Sequence, residues 1–205
     1  FHPGTNFHVE EYLEKNGMET ILPRITYQFR KDFQAANSEI RDFGAHLAPY
    51  SFALDAAVEG IQRYLERIAA AHPLYHKAPR PQDLYAGVSS IIPKTLTCGE
   101  GWLMAGEIAH YAAEGARSFI ILQPFGCLPN HVCGRGVTKR LKELYPGVQI
   151  LPLDLDPDTS YANVENRLQM LIMNQTAEQE KLEPAEAPER RTHRGSYHRP
   201  TLSST

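Results

Sequence analysis

The stretch from Ser118 to Leu153 constrains the fold more than any other part of the chain. Ser118-Phe119-Ile120-Ile121-Leu122 is a short apolar run of strand length, and Val148 to Leu153 is a second. Between them, Gly136 to Tyr145 places Val137, Leu141 and Leu144 on one helical face before Pro146-Gly147 breaks the pattern. Strand, helix and strand joined by short turns call for parallel pairing, because the crossover helix returns the chain to the same end of the sheet. The expected fold class is therefore α/β, a parallel sheet covered by helices.

The flanking segments fit that scheme. Gly101 to Glu114 reads as a helix stopped by Gly115, and Asn163 to Met173 as another with Val164, Leu168, Leu171 and Ile172 facing inward. Ser51 to Ala71 carries Leu54, Val58, Ile61, Leu65 and Ile68 at spacings of 4, 3, 4 and 3, which predicts a core-facing helix. A short helix is expected around Asp83 to Ser90, after the loop marked by Pro73, Pro79 and Pro81. Near the start, Thr5-Asn6 can cap a helix bearing Val9, Tyr12 and Leu13, with Gly17 as its stop and Met18 to Pro23 as a strand. Residues 24–50 hold Tyr27, Phe29, Phe33, Phe43 and Tyr50, too many aromatics for a solvated linker, so they are expected to pack. From Gln175 the apolar pattern stops, and a glutamate-rich half followed by an arginine-bearing half predicts a disordered tail. The organisation expected is one α/β domain over 1–174 and a polar tail over 175–205. The opening Phe1-His2-Pro3-Gly4 lacks an initiating Met, which suggests that a longer polypeptide continues upstream.

Composition narrows the function classes. A net charge of −3, with no basic stripe interleaved with aromatics, lacks the footprint of a nucleic-acid binder. No apolar run approaches the roughly 20 residues of a membrane-spanning helix. Three cysteines, Cys98, Cys127 and Cys133, are too few and odd in number for a secreted disulfide scaffold, so a cytoplasmic protein with reduced thiols is expected.

In an open α/β sheet, ligands gather beyond the carboxyl ends of the strands. The loop after the first strand, Gln123-Pro124-Phe125-Gly126-Cys127-Leu128-Pro129-Asn130-His131-Val132-Cys133-Gly134-Arg135-Gly136, is thus the first candidate site. Its prolines and glycines impose a particular backbone path, and Gly126 leaves room beside Cys127 for a bulky inorganic group. A thiolate there can ligate iron, although three cysteines cannot close a four-thiolate site and a free Cys is often simply buried. Cys133 and Cys98 have no recognisable ligand spacing and read as structural. Gly134-Arg135-Gly136 opens a helix and could meet a phosphate through backbone N–H groups, but it matches neither the dinucleotide fingerprint nor the P-loop. Gly99-Glu100-Gly101-Trp102 reads equally as a ligand-approach site or as a turn, a helix-start carboxylate and a core anchor. His131 is a possible ligand or acid–base group, with a structural role favoured among nine histidines. No Ser-His-Asp order, HExxH or Gly-x-Ser-x-Gly is present, and no catalytic residue is assigned.

The segments GEGWLMAGEI (99–108), QPFGCLPNHVCGRG (123–136) and LDLDPDTSYANVENRLQML (153–171) resemble the terminal region of large proteins related to 2-hydroxyglutaryl-CoA dehydratase and its activase. FHPGTNFHVEEYLEKNGMETILP (1–23) looks like an upstream part of the same domain, and the likeness extends over about residues 1–174. The resemblance implies a Rossmann-like α/β domain of the dehydratase-subunit kind, a parallel sheet covered by helices, with a cysteine-bound iron–sulfur cluster of the 4Fe-4S kind. It further implies an activase partner, as upstream ATPase domains or a separate subunit, whose ATP hydrolysis drives low-potential electron transfer to an acyl-CoA-type substrate. By position the implied cluster ligand is Cys127, with Gln123, Asn130 and Glu100 lining the site. The remaining ligands and the nucleotide-phosphate loop would lie outside this sequence. Two other readings stand beside this one: a non-redox module that binds coenzyme A or a nucleotide, and a structural docking domain.

Overall fold

The computed structural model describes residues 3–45, 50–73 and 75–182. It is a mixed, mostly helical fold built on a small parallel sheet. The sheet pairs β1 (Ser118–Pro124) with β2 (Gln149–Leu155) in parallel, Ser118 opposite Gln149 and Leu122 opposite Leu153. Gln149 N–H donates to the Arg117 carbonyl (2.7 Å) and Phe125 N–H to the Leu155 carbonyl (3.0 Å), so the ladder extends slightly past both ends. The parallel crossover expected from the 118–153 stretch is present, and among the described residues the sheet has two strands.

Because strand side chains alternate, each strand feeds two cores. Ile121 and Ile150 join Trp102, Leu84 and Leu141, contributed by α4 (Pro81–Ala86), α5 (Leu103–Ala113), the residue just before it, and α7 (Thr138–Leu144). Ile120, Leu122, Leu151 and Leu153 face the other way, onto Val9 and Leu13 of α1 (Val9–Lys15) and Val164 and Leu168 of α8 (Tyr161–Leu182). The result is three layers, helix on sheet on helix. Completely burying an apolar side chain such as Leu141 or Leu168 contributes roughly 1.5–3 kcal/mol. Between β1 and α7 lie a short helix, α6 (Leu128–Cys133), and a single 3-10 turn at Arg135–Val137.

Several local expectations are corrected. Met18 to Pro23 forms no strand and has no ladder partner among the described residues. Gly17 does end α1, at φ +80°: Gly17 N–H donates to the Glu14 carbonyl and Met18 N–H to the Leu13 carbonyl, the paired bonds of a Schellman stop. Its start differs, since His8 holds the cap position while Asn6 Oδ1 accepts the His8 N–H from outside the helix. The helix expected to close at Met173 runs on to Leu182, so the polar stretch predicted to be disordered from Gln175 begins inside α8. The rest of that predicted tail, 183–205, lies outside the described residues.

The largest correction concerns α2 (Ile25–Phe43) and α3 (Tyr50–Ala69), which pack against each other. The α3 stripe predicted to face the core faces outward: Leu54, Ile61, Leu65 and Ile68 are exposed. The adjacent, polar face of α3 meets α2 instead. Arg30 donates from Nε to Asp55 (2.7 Å) and from Nη2 to Glu59 (2.9 Å), Ser51 donates to Asn37 (2.6 Å), Thr26 to Gln62 (3.2 Å), and Arg24 to Glu66 (2.5 Å). Periodicity locates the faces of a helix but not which one the neighbour takes, and a ladder of matched charges and amides chose the polar one. The aromatics of 24–50 divide accordingly: Tyr27 is buried and donates to the Pro79 carbonyl (2.6 Å), whereas Phe29, Phe43 and Tyr50 are exposed.

Candidate functional site

The loop after β1 emerges at the carboxyl end of the sheet, where the parallel topology leaves a ligand the most room. Gly126 turns it at φ +71°, a left-handed conformation that glycine adopts without strain, and the space its missing side chain would fill is open. Cys127 follows at the N-cap of α6, half-buried, with its carbonyl accepting from the backbone N–H (3.1 Å) and from Nδ1 (2.8 Å) of His131. That contact commits one ring nitrogen of His131 to the backbone, which fits the structural role favoured for it. Phe125, Leu128 and Val132 are exposed beside the thiol, Phe125 to 75%.

Beneath this surface lie two of the predicted lining residues. Gln123 is fully buried at 0% exposure, and neither its Oε1 nor its Nε2 has a hydrogen-bond partner among the described residues. Asn130 is also buried; its Nδ2 donates to the Leu122 carbonyl (3.1 Å), while Oδ1 is unpartnered. Leaving a buried polar group unpaired costs roughly 1–3 kcal/mol, so two such amides, one on β1 and one on α6, are the least ordinary feature of the site.

The third predicted residue, Glu100, arrives from a separate loop. Gly99 packs on Pro129 of α6, and Glu100 and Cys98 come near enough to Cys133 to push its thiol pKa upward, after the larger upward effect of burial. Gly101, at φ +55°, runs so close to the Leu96 carbonyl that a Cβ could not be accommodated. Trp102 is fully buried, edge-on to Tyr85 at 5.2 Å, and so serves as the core anchor. Glu100 is thereby gathered to Cys133 and α6, but no hydrogen bond or ion pair among the described residues joins it to Cys127.

Two residues overlooked in the sequence matter here. Lys31 of α2 is completely buried, and its ammonium donates to the carbonyls of Thr97 (2.9 Å) and Gly99, with Asp32 as its ionic partner (2.9 Å). It fixes the loop that carries Cys98 and Glu100. Glu107 of α5 is mostly buried with Oε1 unpartnered, and burial pushes its carboxyl pKa up to about 8. It also acts on Tyr27 and Tyr111, whose phenols are raised chiefly by their own burial.

An iron–sulfur cluster needs several thiolate or imidazole ligands around one point. Among the described residues no three His, Cys, Asp or Glu side chains converge closely enough to hold a metal ion. Half-buried after the open-sided Gly126, Cys127 could serve as one ligand of a group completed from elsewhere, while the described residues do not enclose a cluster by themselves. Also among the described residues, no helix is long and apolar enough to cross a membrane. Compared with known proteins, the chain matches no family model, no curated protein and no solved structure.

Proposed function

We propose that the loop after β1 is the working surface of a redox module, in which Cys127 supplies one thiolate to an iron–sulfur cluster completed by ligands from outside this chain. The observation that carries this reading is the placement of Cys127: half-buried, after an open-sided Gly126, at the carboxyl end of a parallel sheet. The exposed Phe125, Leu128 and Val132 around it form an apolar rim that a partner would cover, excluding water from the thiolate. In this reading the chain is a cytoplasmic, Rossmann-like component of a 2-hydroxyacyl-CoA dehydratase or activase-related system, inactive by itself. Its partner is the ATP-hydrolysing activase, and the electron acceptor is an acyl-CoA-type molecule. When bound, the cluster supplies low-potential one-electron chemistry; this chain's residues hold and shield it, with Gln123 and Asn130 beneath the loop and Glu100 at its flank.

A second reading rests on a different observation, the unpartnered amides of Gln123 and Asn130. Those groups suit a non-redox module whose loop closes over a polar ligand such as coenzyme A or a nucleotide. Anaerobic reconstitution with iron and sulfide, with iron and sulfide measured per chain, separates the two. Bound iron and sulfide in the wild type, lost in Cys127→Ser, supports the redox module. Because the other ligands lie outside this chain, it is coenzyme A protection of residues 123–136 from hydrogen exchange, and not low iron by itself, that would replace it with the binding module.

A further inference from the structure

The outward stripe of α3 is the largest feature that the site does not use. Leu54, Val58, Ile61, Leu65 and Ile68 repeat at the a and d spacing of a coiled-coil seam. The arc of α3 beside them is uncharged as well: Ala53, Ala57, Gly60 and Tyr64 are all exposed. A solvated helix face would carry lysines and glutamates there, and this helix has placed its carboxylates on the α2 side instead. Ile25 and Phe29 of α2, 66% and 54% exposed, continue the same surface, and with Val58, Ile61 and Leu65 they line a groove between the helices.

We propose that this face binds a second copy of the chain, forming a two-fold symmetric dimer with the two α3 helices antiparallel. Three observations select that occupant. A regular a/d seam is complementary to itself when reversed, which is what an isologous contact requires. Ile25 and Phe29 of α2 flank Val58, Ile61 and Leu65 of the seam along one groove, a trough in which the partner's α3 can lie. The exposed portions of Leu54, Ile61, Leu65, Ile68, Ile25 and Phe29 amount to roughly 700 Å² per copy, close to each partner's share of a standard stable interface.

Sedimentation of the full chain from micromolar to sub-millimolar concentration tests the proposal, beside Ile61→Lys and Leu65→Lys. The wild type is expected to dimerise, and each variant to raise the dissociation constant about 100-fold or more, since symmetry removes the side chain from both halves of the contact. A wild type that stays monomeric throughout overturns the dimer, whether the face is then bare or covered by another segment or another protein. A dimer indifferent to both variants overturns it too. Should a variant lose its helical circular dichroism, the wild type decides alone. Dilution through dissociation must then raise deuterium uptake over 50–69 and leave 118–124 unchanged, and unchanged uptake over 50–69 rejects the proposal.

Discussion

Glu107→Gln should stabilise the protein at neutral pH and remove much of its alkaline sensitivity. In the folded chain burial holds the carboxyl at a pKa of about 8, against 4.5 for the free side chain. The folded state therefore keeps a proton that the unfolded state releases once the pH passes 4.5. Stability from this group is fully present below pH 4.5, falls as pH rises, and is gone above about pH 8. The slope approaches about 1.4 kcal/mol per pH unit between those limits, and at pH 7 the accumulated loss is roughly 3 kcal/mol. Glutamine keeps the shape and carries no ionisable proton, so the variant escapes that loss. Urea unfolding at half-unit steps from pH 4 to 8.5 measures it: wild type and variant should nearly coincide at pH 4 and separate steadily above pH 5. Parallel curves across the range would mean that the Glu107 carboxyl ionises at its ordinary value, and the argument from burial would fail.

Lys31→Met should destabilise the chain by about 2–3 kcal/mol in urea, because two carbonyls of the 97–99 loop lose a charged donor. An unchanged midpoint would show that those carbonyls are satisfied without it. Arg30→Leu leaves Asp55 and Glu59 without their buried cation and should cost about 3 kcal/mol, with a smaller loss for the Asp55→Asn, Glu59→Gln, Arg30→Leu triple variant; equal losses would remove the ion pairs from the account. In brief alkylation of the native protein read by mass spectrometry, exposed Cys98 should be labelled well ahead of Cys133, which is buried with a raised pKa. Equal labelling would contradict the described packing.

Much of the sheet region could be read from residues because its signals are local. An apolar run bounded by Gly115 and a proline-rich loop, then an amphipathic turn and a second run, admits few folds, and β1, α7 and β2 fall within two residues of their expected positions. The α2–α3 pair was misjudged for a reason of another kind. The apolar face of α3 was plain in its spacing, but Arg30 is far in sequence from Asp55 and Glu59, and their mutual neutralisation exists only once the helices meet. The same holds for the site. Gln123 and Asn130 were singled out by the resemblance carried on one loop, and both are buried; Lys31 reaches the nearby 97–99 loop from α2, a connection that no spacing rule encodes. Met18 to Pro23 had strand-like residues but no neighbouring strand to pair with, and composition does not supply a partner.

The buried ammonium of Lys31 has a consequence for how the molecule opens. Its carbonyl partners at Thr97 and Gly99 belong to a different segment, so α2 cannot lift away without stranding either a charge in the interior or two carbonyls without a donor. Partial unfolding should therefore release α2 and the loop that carries Cys98 and Glu100 together, as one cooperative unit, while the strands remain paired.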